Sequence, residues 1–274
     1  MRSGTQSKRT SLCQPLDPGS PLRFGREALE IFSLKVSEPE HLTNHPKPAI
    51  IPTEMTLTDL LPKLHYPTRL EKLVDGWVHG VAAVLLTFAV GAALGLAIWQ
   101  GGLGMASAVA VYGVCVMTMV GCSMAYNMTE TPARKALLRR FDHAAIFLMI
   151  AGSYTPFTTI RFDGAWAISM TTIVWALALI GAAGKLFLPG IGKRLWLIFY
   201  VALGLMIFAA FGPLVQTVPL PGVILLSVGG LLYVAGIPFY VSEKLPFRRA
   251  IWHTFVMAAA AVHYAAVLTG VVFA

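Results

Sequence analysis

An aspartate and a histidine stand at the head of a long apolar run in this sequence. Residues 139–157 read RRFDHAAIFLMIAGSYTPF, so Asp142 and His143 follow two arginines and precede a segment long enough to cross a membrane. Aspartate and histidine are side chains that transfer protons and bind metal ions. Inside a bilayer such groups are costly and usually face a partner or water. We therefore interpret Asp142 and His143 as part of a polar site at the membrane boundary.

Other polar side chains fall at a similar depth of other predicted spans. His79 lies near the start of the first span, Ser123 and Asn127 near the end of the second, and His253 near the start of the seventh. At a rise of about 1.5 Å per residue, all of them lie in the cytoplasmic third of the bilayer. This coincidence predicts that helices 1, 2, 3 and 7 gather around one site.

Simpler interpretations of these residues remain open. Asp142 could be a helix N-cap, because aspartate is favoured there. His79 and His143 could lie in the headgroup zone at little cost. We interpret His263, ten residues deeper than His253, as a hydrogen-bonded packing residue.

The composition indicates a membrane protein. The chain has 274 residues, 56% hydrophobic and 12% charged, with a mean hydropathy of +0.69. A soluble domain carries about 25% charged residues. The net charge of +8 is therefore a topology signal rather than a sign of nucleic-acid binding, and membrane lipid is the expected partner. Three cysteines are too few for a disulfide framework.

Seven segments are long and apolar enough to cross a core of about 30 Å as helices. They are residues 77–99, 103–126, 142–160, 165–183, 195–214, 221–241 and 250–273. With this count, 20 of the 21 Lys and Arg fall on one side, and Arg161 alone falls on the other. The predicted fold is an all-α bundle of seven transmembrane helices, with the N-terminus in the cytoplasm and the C-terminus outside. The expected location is a cell membrane, the inner membrane of a bacterium.

The N-terminal quarter of the chain lacks a span. Residues 1–69 are predicted to be a largely disordered cytoplasmic tail, since they are rich in proline and polar residues. Residues 60–73 mix leucine with lysine and arginine and could form an interfacial segment. Residues 70–274 are the predicted seven-helix domain.

Several motifs resemble the hemolysin III family, a branch of the progestin and adipoQ receptor superfamily. FDHAAIFLMIAGSYTPF, residues 141–157, resembles the third helix of that family, and AIWHTFVMAAAAVHY, residues 250–264, resembles its seventh. Ser123 and Asn127 stand where its second helix carries Ser-x-x-x-His, and His79 is similar to the family's entry to helix 1.

The resemblance implies a zinc site near the cytoplasmic face. Its ligands would be a histidine at the end of helix 2 and a His-x-x-x-His pair at the start of helix 7, whose spacing puts both on one helix face. Here Asn127 and Arg249 occupy two of these three positions, and His253 remains as the metal ligand. Asparagine is a poor zinc ligand, and arginine stays protonated and is none. Ser123 and Asp142 would be the catalytic residues if the protein is an enzyme.

Zinc as a cofactor would therefore need substitute ligands, for which His79 and His143 are candidates. For Arg249 we predict an ion pair with Asp142, in which the guanidinium takes the place of the metal ion. The alternative is that Arg249 extends to the headgroups.

Three functions follow from these observations. The incomplete ligand set favours a non-catalytic member with a degenerate site that affects membrane or lipid properties. A zinc-dependent intramembrane lipid amide hydrolase, with a metal-bound water and Asp142 as base, is the first alternative. A pore-forming cytolysin is the second, although the spans carry no charged stripe to line a channel. Protein partners cannot be named from the sequence.

Overall fold

The computed structural model describes residues 65–188 and 190–274. The described residues contain no strand, and their helices follow one another along the chain. These are α1 (Arg69–Met128), α2 (Pro132–Ile160), α3 (Gly164–Phe187), α4 (Lys193–Leu205), α5 (Phe211–Thr217), α6 (Leu220–Val241) and α7 (Arg248–Val267). A 3₁₀ segment, Met206–Ala210, joins α4 to α5, and a π-helical segment, Leu268–Val272, follows α7. The predicted all-α class is confirmed. The predicted disordered tail, residues 1–69, lies outside the described residues as far as residue 64.

Helix α1 is an antiparallel pair of helical limbs rather than one rod. Gly102 has φ 65° and ψ −156°, a conformation that glycine adopts without steric cost. Lys72, near the start of α1, forms an ion pair with Glu130, just beyond its end. The chain therefore reverses at Gly102, between the spans predicted at residues 77–99 and 103–126. We call residues 69–101 the first limb and residues 103–128 the second limb.

Two helices begin earlier than their apolar runs do. The first limb starts at Arg69 rather than near Trp77, because Thr68 is its N-cap and accepts a hydrogen bond from the backbone N–H of Glu71 at 3.1 Å. Helix α2 starts at Pro132, ten residues before Asp142. Proline is tolerated in the first turn, because the backbone N–H that it lacks would have no partner within the helix there. Helix boundaries here follow capping chemistry, which hydropathy does not report.

Five helical segments among the described residues are long and apolar enough to cross a membrane, which agrees with a membrane helical bundle. They are Arg69–Met128, Gly164–Phe187, Lys193–Thr217, Leu220–Val241 and Arg248–Val272. Helix α2 is more polar than these five segments, yet its residues from Ala151 to Thr158 are all buried. It therefore lies in the interior of the bundle.

Small residues allow close contact between the helices. A Cβ atom at Gly152 would lie 2.5 Å from Cβ of Cys115, so α2 touches the second limb there. A Cβ atom at Gly222 of α6 would lie 2.8 Å from Cα of Gly270. Pro156 stands inside α2, which continues to Ile160.

The last helix packs beside the first limb. The hydroxyl of Tyr264 in α7 donates a hydrogen bond to the backbone oxygen of Ala89 at 2.9 Å. This contact places the start of α7 next to the start of α1, where the polar residues of both helices lie.

Candidate metal centre

A carboxylate and two imidazoles meet between the first limb and α7. Asp75 and His79 are four residues apart in the first limb and so share one helix face, and His253 faces them from α7. The His253 Nδ1 atom lies 2.6 Å from Oδ1 of Asp75, and the His79 Nδ1 atom lies 3.8 Å from Oδ2 of Asp75. Asp75 and His79 are fully buried, and His253 is 7% exposed. We call these three residues the Asp-His-His group.

Neighbouring groups fix the orientation of this group. The Nδ1 atom of His79 lies 2.8 Å from the backbone oxygen of Asp75, so this nitrogen carries the proton and donates it. The other nitrogen, Nε2, then accepts from the Ser123 hydroxyl at 3.1 Å. The hydroxyl of Tyr66 donates to Oδ2 of Asp75. Both carboxylate oxygens of Asp75 therefore have a hydrogen-bond partner.

The segment before α1 closes the end of the bundle next to the Asp-His-His group. The His65 Nε2 atom donates to Oδ1 of Asn127 at 2.9 Å, and Nε of Arg249 donates to the backbone oxygen of His65 at 2.9 Å. The Arg249 guanidinium also lies 5.8 Å from the ring centre of Tyr66. Burial, together with the charge of Arg249, lowers the pKa of His65 to about 4. His65 is therefore neutral at pH 7. We call His65, Tyr66, Asn127 and Arg249 the plug.

The structure places Arg249 differently from our expectation. The predicted ion pair between Arg249 and Asp142 does not form among the described residues. Arg249 hydrogen-bonds the backbone of His65 instead. The reason is that residue 65 folds over the start of α7, which the sequence of α7 alone does not indicate.

Asp142 is half-buried near the same end of the bundle. Its carboxyl group interacts with His253 and with Ser123. Because α2 begins at Pro132 with Thr131 as N-cap, the alternative role of Asp142 as a helix cap is wrong. The structure therefore leaves Asp142 as a polar residue inside a helix, close to the Asp-His-His group.

Two other histidines stand apart from this group. The backbone oxygen of His143 accepts a hydrogen bond from Tyr200, and the His143 side chain does not join the Asp-His-His group. The ring of His263 contacts that of Tyr233, and its Nε2 atom lies 3.3 Å from the backbone oxygen of Leu226. His263 thus packs between α6 and α7, as the sequence predicts. Of the two candidate substitute ligands, His79 belongs to the group and His143 does not.

Asp75 is the residue of the group that sequence reasoning missed. The hydropathy count starts the first span at Trp77, which leaves Asp75 in the polar segment before it. A usable signal was present, since Asp75 precedes His79 by four residues and so lies on the same face of a helix that extends back to Arg69.

The family-like ligand positions do not fit a metal ion. Asn127 uses its amide nitrogen to donate to the backbone oxygen of Ser123 at 2.9 Å and its oxygen to accept from His65. Arg249 offers only donors. The Asp-His-His group does fit, because its three ligand atoms all lie within 4.8 Å of one another. Carboxylate oxygen and imidazole nitrogen are both zinc ligands.

Comparison with known proteins agrees with this architecture. A model of the family described as haemolysin-III related matches residues 68–264. The "Hemolysin-3" of Bacillus cereus is 35% identical over 201 residues, which cover 72% of this chain and 90% of that protein. The "Hemolysin-3 homolog" of Bacillus subtilis (strain 168) is 31% identical over 201 residues, covering 72% and 93%. The human "Monocyte to macrophage differentiation factor" is 30% identical over 168 residues, covering 57% and 67%.

Proposed function

Because the chain belongs to the haemolysin-III related family, we propose that it acts in the membrane as a non-catalytic member that affects membrane or lipid properties. The proposal has two parts. One is a topology of seven spans, and the other is the loss of the family-like zinc chemistry at the end of the bundle.

The break at Gly102 supports the seven-span topology. A straight helix of 60 residues would be about 90 Å long, roughly three times the thickness of a bilayer core. The two limbs are each of spanning length. Together with α2, α3, α4–α5, α6 and α7 they make seven. The basic residues then favour a cytoplasmic N-terminus and an outside C-terminus.

A reporter fused after Ala274 tests this topology. An enzyme that is active only outside the cytoplasm, such as a periplasmic phosphatase, should be active in this position. The same enzyme fused after Gly190, between α3 and α4, should be inactive. Activity of a cytoplasm-only reporter after Ala274 would overturn the seven-span proposal.

The plug is the observation that carries the non-catalytic proposal. A zinc hydrolase needs a metal ion with an open coordination position for water. Asn127 and Arg249, which stand at two family-like ligand positions, are both bonded to His65. Neither offers a ligand atom to a metal ion, and the space next to them is closed by residues 65 and 66.

A lipid amide hydrolysis assay on the purified full-length chain tests this part. We expect no hydrolysis of an N-acyl sphingoid substrate above the rate with empty detergent micelles, with or without added zinc. Hydrolysis that EDTA abolishes and that Asp142→Asn also abolishes would contradict the proposal and support the enzyme alternative, with Asp142 and Ser123 as catalytic residues.

The name of the Bacillus cereus relative supports a second candidate, membrane lysis. Dye-filled liposomes test it with purified protein. Under the non-catalytic proposal the dye stays inside, because the described spans are apolar and the buried side chains of Asp75, His79, Ser123 and His253 are joined by hydrogen bonds rather than lining a channel. Dose-dependent leakage would favour lysis instead.

A further inference from the structure

We propose that Asp75, His79 and His253 form a structural site for one divalent metal ion of the zinc class, which ties α7 to the first limb of α1. The site lies one helical turn away from Asn127 and Arg249 and shares only His253 with the family-like ligand positions. It does not depend on the proposed lack of catalysis.

The distances fit a metal ion of this class. In a tetrahedral site with bonds of about 2.0 Å, ligand atoms lie about 3.3 Å apart. One ligand atom of each side chain lies within 4.8 Å of those of the other two, and the separation from His253 Nδ1 to Asp75 Oδ1 is 2.6 Å. Because His79 Nδ1 donates to the backbone oxygen of Asp75, Nε2 is the nitrogen that would bind the ion, in place of its hydrogen bond with Ser123. Between Asp75 and His253, the ion would take the place of the hydrogen bond that joins the two side chains.

The surrounding hydrogen bonds are those that support metal ligands. Ligating carboxylates and histidines in metal sites use their remaining atoms to bond a second layer of residues. Here Tyr66 holds the second carboxylate oxygen of Asp75, and the backbone oxygen of Asp75 holds one ring nitrogen of His79. The hydroxyl of Ser123 lies next to His79 and can complete the coordination directly or through water.

Charge balance also favours a cation among these residues. A buried carboxylate needs a compensating positive charge. The nearest arginine, Arg249, makes no ion pair with Asp75 in the described part of the chain and is bonded to His65. A divalent ion uses all three side chains.

Metal content of the full-length chain, purified in detergent without a histidine tag, tests the site. After incubation with zinc and dialysis, we expect about one zinc ion per chain. Asp75→Asn, His79→Gln and His253→Gln should each weaken zinc affinity by at least about 100-fold, and Tyr66→Phe by roughly 10-fold, as for an outer partner. Zinc should also raise the thermal midpoint of the parent and leave that of Asp75→Asn unchanged.

The histidines outside the group serve as matched controls. His143→Gln, near the same end of the bundle, and the double change His41→Gln with His45→Gln, in the tail, should each keep the parent's zinc content. Full zinc binding by Asp75→Asn, or its loss in either control, would overturn the proposal. If the three site variants fail to fold, the proposal is tested on the parent protein alone. Cobalt added to it should give the intense visible bands of a tetrahedral ion, and their absence, or no zinc retained, overturns the proposal.

Discussion

The Nδ1 atom of His253 lies 2.6 Å from Oδ1 of Asp75, so the last helix of the bundle is bonded to the first. The contact joins two buried ionisable groups that are 178 residues apart in the chain. Its energy is therefore available only when α7 has packed against the first limb of α1.

Removing the His253 side chain should destabilise the metal-free protein. In EDTA, His253→Leu leaves the Asp75 carboxylate buried with one partner fewer, and breaking a buried pair costs about 3–5 kcal/mol. Adding Asp75→Asn removes the unpaired charge and should recover a large part of that loss. Thermal or denaturant unfolding in detergent measures both.

His143→Leu is the matched control for His253→Leu, because the His143 ring is not part of the Asp-His-His group. It should cost less than His253→Leu. Equal stability of His253→Leu and the parent, or a further loss on adding Asp75→Asn, would show that the pair carries no charge-dependent energy.

Arg249→Ala should destabilise through the plug and not through Asp142. The guanidinium donates to the backbone of His65, and a hydrogen bond from a charged group is worth about 1.5–3 kcal/mol. Since Arg249 and Asp142 form no ion pair, Asp142→Asn should not rescue the loss. A double-mutant cycle measures the coupling energy between Arg249 and Asp142. A coupling above about 0.5 kcal/mol would contradict this prediction and support the ion pair expected from the sequence.

The plug should loosen as the pH falls. Burial, aided by Arg249 and Lys135 and opposed by Asn127 and Asp75, lowers the pKa of His65 from its ordinary value of 6.5 to about 4. The released segment binds a proton more readily than the docked one, so docking is favoured fully above pH 6.5 and is lost progressively between pH 6.5 and 4.

Hydrogen exchange of residues 65–68, corrected for the intrinsic effect of pH, measures this docking. Protection should fall between pH 7 and pH 5 in the parent. In His65→Gln, which keeps a side-chain donor but does not titrate, protection should stay constant over that range. The same fall in both proteins would mean that another group controls the segment.

Gly222→Ala should destabilise the contact between α6 and the C-terminal segment. The added methyl would lie 2.8 Å from Cα of Gly270, a backbone atom that cannot rotate away. Overpacking of this kind typically costs about 1–3 kcal/mol. Gly230→Ala in the same helix is the control, because no atom lies within 4 Å of the new methyl. Thermal unfolding should separate the two variants, and equal midpoints would contradict the close approach.

The helices and the reversal at Gly102 were predictable because their signals are local. Apolar runs, and the break between the runs at residues 77–99 and 103–126, require no knowledge of the fold. The closeness of His79, Ser123 and His253 was also expected, since their depth along the predicted spans coincides.

Asp75 and the partner of Arg249 were not predictable in the same way. Asp75 enters the group because the N-cap at Thr68 extends the first limb beyond its apolar run. Arg249 turns to His65 because the residues before α1 fold over the start of α7. Both depend on how residues distant in sequence pack, which neither hydropathy nor spacing reports.

An experimental structure of the zinc-loaded protein, with anomalous scattering measured at the zinc edge, tests the central claim most directly. The account predicts a single anomalous peak within about 2.0–2.2 Å of a ligand atom of each of Asp75, His79 and His253. The plug should remain closed beside it, with Arg249 bonded to His65. A peak beside Asn127 and Asp142 that is not ligated by Asp75, or no peak at the end of the bundle, would contradict the account.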